Sequence, residues 1–328
     1  MEKKALVSLI TPCHNSAAFI HRLFDSVLNQ TYPNIEMIAV DNDSKDNTAK
    51  IIKNYIPLFN KKGYRLIYLH EEDLGPSAAI QNGLKHINGE YLLMPDSDDW
   101  YSMPTSIEKF VTKFEELPDV YAILRSQIQF IDEKSMLPIK IAYKDFPTDD
   151  PGTLFEDCLF AKNGYNFAPI GYMVKVSKLR EQTGLQIFNA YNMGQQRQIC
   201  LPLYYNYKAW TIPEPLVNYL VRSNSISHGS YNKYETQKEL HEKIYSYIST
   251  ILNSITNMPI KEKEMYLDKY MRQSIKRIAY QACNNNDKKG LRAFVNEYKT
   301  YGGNRFLLII LLKIQQLKAL RKKVSVPK

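Results

Sequence analysis

Short apolar runs alternate with amphipathic stretches through the first hundred residues. Ala5 to Ile10 is apolar but for one serine, which predicts a buried strand. After the turn-forming Thr11-Pro-Cys-His-Asn15, Phe19, Ile20, Leu23, Phe24, Val27 and Leu28 recur at helical spacing, so a helix capped by Asn15 or Ser16 is expected to run to about Asn29. Ile35 to Val40 predicts a second strand, and Thr48, Ile51, Ile52 and Tyr55 a second helix. Tyr64 to Leu69 predicts a third strand, and Pro76 suits the first position of a helix over Ser77 to Ile87. Tyr91 to Met94 predicts the fourth strand. Four strand–helix alternations predict a doubly wound, mostly parallel α/β sheet, whose ligands bind beyond the carboxyl ends of the strands. Those ends carry His14 and Asn15, Asp41 to Asp46, Asp73, and Asp96 to Asp99.

Further along, the pattern loosens. Ser106 to Glu116 predicts a helix, and Val120 to Gln127 and Gln129 to Asp132 predict two strands. Ile139 to Gly164 is irregular, with a short helix expected near Leu154 to Ala161. Ile170 to Val176 predicts a strand followed by a helix from Ser177, Asn192 to Tyr205 a helix, and Trp210 to Val221 two short strands parted by Pro213 and Pro215. From about Tyr231 the chain is polar and helical. This divides it into residues 1–228, with halves 1–105 and 106–228, and a helical appendage over 229–328.

Charge sharpens that division. Residues 229–328 hold 20 Lys and Arg against 8 Asp and Glu, a net of +12, while the preceding residues hold 23 against 26, a net of −3. A basic appendage suits a membrane surface or another polyanion. Phe306 to Leu312 is apolar all round and precedes Lys313, Lys318, Arg321, Lys322 and Lys323. Such a helix either lies in the headgroup region of an anionic membrane or docks on the protein. No nucleic-acid motif accompanies the basic residues, so no specific nucleic-acid partner is expected. The four cysteines are scattered, without a Cys-x-x-Cys pair, which suits a reducing cytoplasm. The N-terminal apolar run is too short for a signal peptide, and no segment approaches the roughly 20 apolar residues of a membrane span.

The first turn lacks a Gly-x-Gly-x-x-Gly fingerprint, and no phosphate-binding Gly-Lys-Ser/Thr loop occurs. Asp96-Ser-Asp-Asp99 instead closes the fourth strand with three acids. Like charges this close need compensation, and a hard divalent cation held with phosphate oxygens supplies it. A solvated acidic loop capping the next helix is the other reading of the same residues.

Four ordered stations resemble the family-2 glycosyltransferases of the GT-A fold. Val7 to Asn15 resembles the opening strand and Pro-x-Tyr-Asn turn, with His14 for the usual Tyr. Ser26-Val-Leu-Asn-Gln-Thr-Tyr32 resembles the Ser-x-x-x-Gln-Thr segment. Asp41-Asn-Asp-Ser-Lys-Asp-Asn-Thr48 is similar to Asp-Asp-x-Ser-x-Asp-x-Thr. Gly75-Pro-Ser-Ala-Ala, Gly83 and Gly89-Glu90 lead to the Asp-x-Asp motif at Asp96 to Asp98.

The resemblance implies sugar transfer, with inversion, from a nucleoside-diphosphate sugar, UDP-linked, to a glycan or polyprenyl-linked acceptor in surface polysaccharide synthesis; the basic tail and the cysteine pattern add the expectation of a cytoplasmic protein on the cytoplasmic face of a membrane. It implies that Pro12, His14 and Asn15 line the nucleotide, that Asp41 and Asn42 read the base, and that Asp96 and Ser97 face the ribose or donor sugar. Asp98 with Asp96, supported by Asp99, would hold Mn²⁺ or Mg²⁺ against the diphosphate, and Arg222 and His228 would approach that diphosphate; a surface histidine is the other reading of His228. The family's late Glu-Asp pair, the source of the catalytic base, is replaced by Gln195-Gln196, and an amide takes no proton. Asp99 and Asp157, with Glu156, are the remaining candidates for the base; a surface helix turn is the other reading of Glu156-Asp157. A non-catalytic, donor-binding relative in a glycan-assembly complex is the alternative.

Overall fold

The computed structural model describes residues 4–190, 194–222, 234–284 and 287–313. Two compact units divide the chain, Met1–Ser227 and His228–Lys328.

The first unit opens with β1 (Val7–Cys13), α1 (Ile20–Leu28), β2 (Ile35–Asp41), α2 (Thr48–Lys62), β3 (Arg65–His70), α3 (Pro76–Leu84) and β4 (Tyr91–Leu93). β1 lies between β2 and β4, with β3 outside β2, and all four are parallel. Register places Cys13 opposite Asp41 and Asp41 opposite His70, so these strands finish level at their carboxyl ends. β1 and β2 are buried on both faces, as their unbroken apolar runs require. α1 turns Ile20, Leu23, Phe24 and Val27 inward.

Next come β5 (Trp100–Tyr101), α4 (Ser106–Glu116), β6 (Tyr121–Asp132), β7 (Pro138–Ala142), α5 (Leu154–Phe160), a 3₁₀ turn (Pro169–Gly171), β8 (Tyr172–Lys175), α6 (Val176–Thr183), α7 (Gln196–Asn206) and β9 (Lys208–Val221). Among the described residues the strands form one sheet in the order β3-β2-β1-β4-β8-β6-β9-β5, with β7 on β6. β8 is antiparallel to both β4 and β6, so the parallel arrangement of the first hundred residues gives way to a mixed sheet.

Three expectations change in this half. The two strands expected over Val120 to Asp132 are one, because Ile128 between the glutamines is buried and stays in the ladder. β7 falls where the pattern is irregular, since an edge strand exposed along most of its length has no apolar face to display. Trp210 to Val221 is also a single strand. Its ladder with β6 shifts register around Gln127, and the irregularity absorbs Pro213 and Pro215, which cannot donate to a regular ladder.

The second unit contains α8 (Tyr234–Ser254), α9 (Ile260–Asn284), α10 (Lys288–Thr300) and a helical stretch over residues 305–313. Its core joins Ile275, Ile278 and Ala279 to Phe294, Val295 and Tyr298, and Leu308 and Leu312 complete it. The apolar segment from Phe306 thus docks on protein through one side only: Phe306, Leu307, Ile310 and Leu311 are exposed. No helix among the described residues is long and apolar enough to cross a membrane.

Candidate active site

The loops after β1, β2 and β4 are laced together by hydrogen bonds. The Asn42 backbone N–H donates to the Cys13 carbonyl, and the His14 ring nitrogen Nδ1 lies 2.6 Å from the Asn42 carbonyl. Ser16 Oγ lies 2.7 Å from Ser97 Oγ, which joins the first turn to the acidic loop. Asn15, at φ 49°, accepts from the Lys45 N–H, and its own N–H donates to the Ser44 hydroxyl. Asp46 accepts from the N–H groups of Ala17 and Thr48, so it caps α2 rather than facing a ligand. Pro12, within β1, is half-buried beside these turns.

Asp41 and Asn42 are both buried. Asp41 accepts from the Ser44 N–H and the Tyr68 hydroxyl. Asn42 donates to the carbonyls of Glu71 and Asp73 and accepts from the Gly75 N–H. Its amide therefore fixes the β3–α3 loop, and a base-reading contact would compete with those three bonds.

Asp96, Asp98 and Asp99 form the acidic loop after β4. Asp99 is fully buried; one oxygen accepts from the Leu220 N–H of β9 at 2.9 Å, and Oδ2 has no partner among the described residues. Burial, then the charges of Asp98 and Asp96, push the Asp99 carboxyl well up from its ordinary value. Burial and Asp98 raise the Asp96 carboxyl to about 7. Asp96 and Asp99 are thus poorly compensated, and carboxylate oxygens are the donors a hard divalent cation takes. Among the described residues no three acidic, His or Cys side chains converge as a ready-made cage. Asp98 and Asp96 carry the donors that would hold a hard divalent cation such as Mg²⁺ or Mn²⁺, and Asp99 holds the loop against β9.

A pH dependence follows for the metal-free protein. Both raised carboxyls keep protons in the folded chain after the unfolded chain has lost them, near pH 4. Their contribution to stability is complete below that value and is lost as the pH rises through about 7 for Asp96. The thermal midpoint without metal should fall between about pH 5 and about pH 8, and Asp96→Asn should flatten that slope. Thermal scans across the range check it; an equal slope in the variant would remove Asp96 as the cause.

Three residues near the acids carry no motif signal. Arg22 of α1 sits 5.0 Å from the Trp100 ring and opposes the rise of the Asp99 carboxyl. Phe19 lies under the Arg222 guanidinium at 4.0 Å, and Glu133 Oε1 is 3.7 Å from Arg222 Nε. Arg222 Nη1 reaches Asp98 Oδ2 at 3.0 Å. Sequence periodicity assigns Phe19 only to a helix face and Glu133 to a turn. His228 lies outside the described residues.

The candidates for a base are otherwise engaged. Asp157, in the first turn of α5, accepts from the Thr153 hydroxyl and the Asn163 amide. Glu156 pairs with Lys162 at 3.1 Å. Gln195 and Gln196 are buried at the start of α7, and both polar atoms of the Gln196 side chain lack a partner among the described residues. Asp157 is buried and takes two side-chain hydrogen bonds that tie the turns flanking α5 to it. Asp157→Asn should cost about 1–2 kcal/mol of stability, because one amide end would face a donor or lose one, and should leave turnover within about threefold. Denaturant unfolding and initial rates separate the roles; a turnover loss of roughly 100-fold or more would restore Asp157 as the base.

Residues 8–168 match the family model described as glycosyl transferase family 2. Glycosyltransferase GlyA of Streptococcus pneumoniae serotype 4 is 26% identical over 239 residues, covering 72% of this chain and 32% of GlyA. The chain therefore spans about a third of that relative's length. Staphylococcus aureus TarS 1-349, solved in complex with UDP-GlcNAc, superposes with a TM-score of 0.63 at 17% identity over 88% of this chain and 80% of that one. The mannosyltransferase PcManGT from Pyrobaculum calidifontis, solved with GDP-Man and Mn²⁺, gives 0.53 at 15% identity over 96% and 88%. These two likenesses show a shared α/β fold.

Proposed function

We propose that this chain, which belongs to the family-2 glycosyltransferases, moves a sugar from a nucleoside-diphosphate sugar to a glycan or lipid-linked acceptor in surface polysaccharide synthesis. The acidic loop Asp96 to Asp99 at the level ends of parallel strands carries the reading. A UDP-linked donor is favoured by the likeness to TarS, solved with UDP-GlcNAc. Pro12, His14, Asn15 and Asp41 shape the nucleotide end, and Asn42 acts by fixing the Glu71–Gly75 loop rather than by reading the base itself. Asp96 and Ser97 face the donor sugar. Asp98 and Asp96 hold the divalent cation, which offsets the charge that develops on the leaving diphosphate.

A second reading has its own observation. Gln195 and Gln196 stand where the resemblance expects acids, Asp157 is engaged by Thr153 and Asn163, and Asp99 is buried. A donor-binding subunit without transfer activity would tolerate this.

The test is a donor panel. The protein is mixed with UDP-, GDP- and dTDP-sugars plus Mn²⁺, and released nucleotide and thermal midpoint are both followed. Release from one donor supports the transferase. A midpoint raised by one donor without release, across glycan and polyprenyl-linked acceptors, supports the binding subunit, and neither effect removes both readings.

The acceptor's lipid link and a place on the cytoplasmic face of a membrane belong to the same proposal. The described cysteines 13, 158 and 200 are free and buried, as suits a reducing compartment. Phe306, 77% exposed, with Leu307 and Ile310, presents an apolar surface beside the basic stretch that begins at Lys313. The full chain should float with vesicles containing anionic lipid, and Leu307→Asp with Ile310→Asp should abolish flotation while keeping the fold. Flotation by the double variant would exclude this surface.

A further inference from the structure

Arg222 occupies the carboxylate that the proposed metal site needs. It follows directly on β9, whose Leu220 N–H holds Asp99 and whose Val221 carbonyl accepts from the Glu133 N–H. Its guanidinium lies 4.0 Å over the Phe19 ring. Its Nη1 contacts Asp98 Oδ2 at 3.0 Å, and its Nε faces Glu133 Oε1 at 3.7 Å, too long for a hydrogen bond. The side chains of Arg222 and Asp98 keep 28% and 24% of their surface exposed, so a ligand can reach both.

A cation that takes Asp98 Oδ2 as a ligand displaces this guanidinium. The freed fork of N–H donors matches two phosphate oxygens, whereas among the described residues Glu133 offers it one distant carboxylate. A diphosphate arriving with the metal provides that new partner at the moment Asp98 loses the old one.

We propose that Arg222 is the resident counter-ion of Asp98 and passes to the donor's diphosphate when metal and donor bind, so that it suppresses metal binding in the absence of nucleotide and couples the two ligands. This rests on the metal-and-diphosphate reading of the site above. Phe19 acts as the platform on which the guanidinium turns from one partner to the other. Arg222 is in this role a positioning residue, and its effect is read in binding equilibria. By linkage, whatever factor the nucleotide adds to metal affinity, the metal adds to nucleotide affinity.

The experiment measures Mn²⁺ binding to the full chain by the EPR signal of free Mn²⁺, with and without saturating UDP, for wild type, Arg222→Met, Arg222→Lys and Asp98→Asn. Without UDP, Arg222→Met should bind Mn²⁺ roughly 10-fold more tightly than wild type, within the usual range of site–site coupling. The gain in Mn²⁺ affinity on adding UDP should shrink by a similar factor. Arg222→Lys keeps a cation beside Asp98 and should stay close to wild type without UDP. Asp98→Asn should weaken Mn²⁺ binding under both conditions.

Arg222→Met binding Mn²⁺ no more tightly than wild type without UDP would overturn the counter-ion role while leaving the metal site intact. Absence of Mn²⁺ binding by wild type with or without UDP would overturn the metal reading itself and this inference with it. Should Arg222→Met fail to fold, Arg222→Gln, which also removes the cation beside Asp98, carries the same expectation and the same refutation.

Discussion

Asp98→Ala should lower metal-dependent nucleotide release from the preferred donor by roughly 10²–10³-fold with the fold intact. The size follows from what the carboxylate does. On the proposed reading the leaving diphosphate would gain charge as the glycosidic bond breaks, and a cation held by Asp98 and Asp96 would offset it. The fold should survive because Asp98 is a partly exposed loop residue whose side chain pairs with Arg222, itself within reach of Glu133. Initial rates with Mn²⁺, alongside a thermal scan, check both halves. Turnover within a few-fold of wild type would detach the chemistry from Asp98. A collapse of the thermal midpoint would make the acidic loop a structural feature.

Gly89→Ala should destabilise the fold far more than the addition of one methyl group suggests. A Cβ at Gly89 would lie 2.5 Å from Ser8 Oγ and 2.7 Å from both the Leu6 carbonyl oxygen and the Ser8 nitrogen. Two of these are backbone atoms at the start of β1. They cannot withdraw, because the Glu90 N–H donates to the Leu6 carbonyl and the Gly89 N–H to Ser8 Oγ. Ser8 in turn donates to buried Glu36 at 2.6 Å, which also accepts from the Asn88 N–H. The methyl would therefore pry β4 from β1 and disturb a buried carboxylate together. A loss of about 3 kcal/mol or more is expected, the upper part of the overpacking range. That corresponds to a fall in midpoint on the order of 6–12 °C for a unit of this size.

Gly164→Ala is the control. Gly164 has φ +71° but nothing within 4 Å of its would-be Cβ, so only the left-handed backbone penalty of about 1 kcal/mol applies. Equal losses in the two variants would refute the steric account of Gly89.

The sequence motifs were therefore legible as motifs but not always as roles. Gly89-Glu90 belongs to a station of the family resemblance, yet the glycine serves the approach of two strands rather than a ligand. Asp46, in the Asp-x-Thr portion of another station, is legible in both respects: an acid just before a helix reads as a cap, and it accepts from the Thr48 N–H. Asn42 replaces an acid in that same station, and only the fold reveals that its amide is spent on Glu71, Asp73 and Gly75. Asp157 could be named as an acid in a first helical turn, while its two donors, Thr153 and Asn163, come from the turns on either side of α5.

By itself the sequence determined the strand–helix alternation of the first hundred residues, the acids at the strand ends and the basic appendage. Those features are local: period and turn chemistry are set within a few neighbouring residues. The tertiary structure alone decided that β8 runs antiparallel between β4 and β6, that β6 and β9 are each continuous, and that β7 pairs with β6. It alone brought Arg222 to Asp98, 124 residues away, and laid it on Phe19. Pairings of that kind depend on register and crossing between distant segments, and an ion pair that neither partner's neighbours select leaves no periodic trace in the chain.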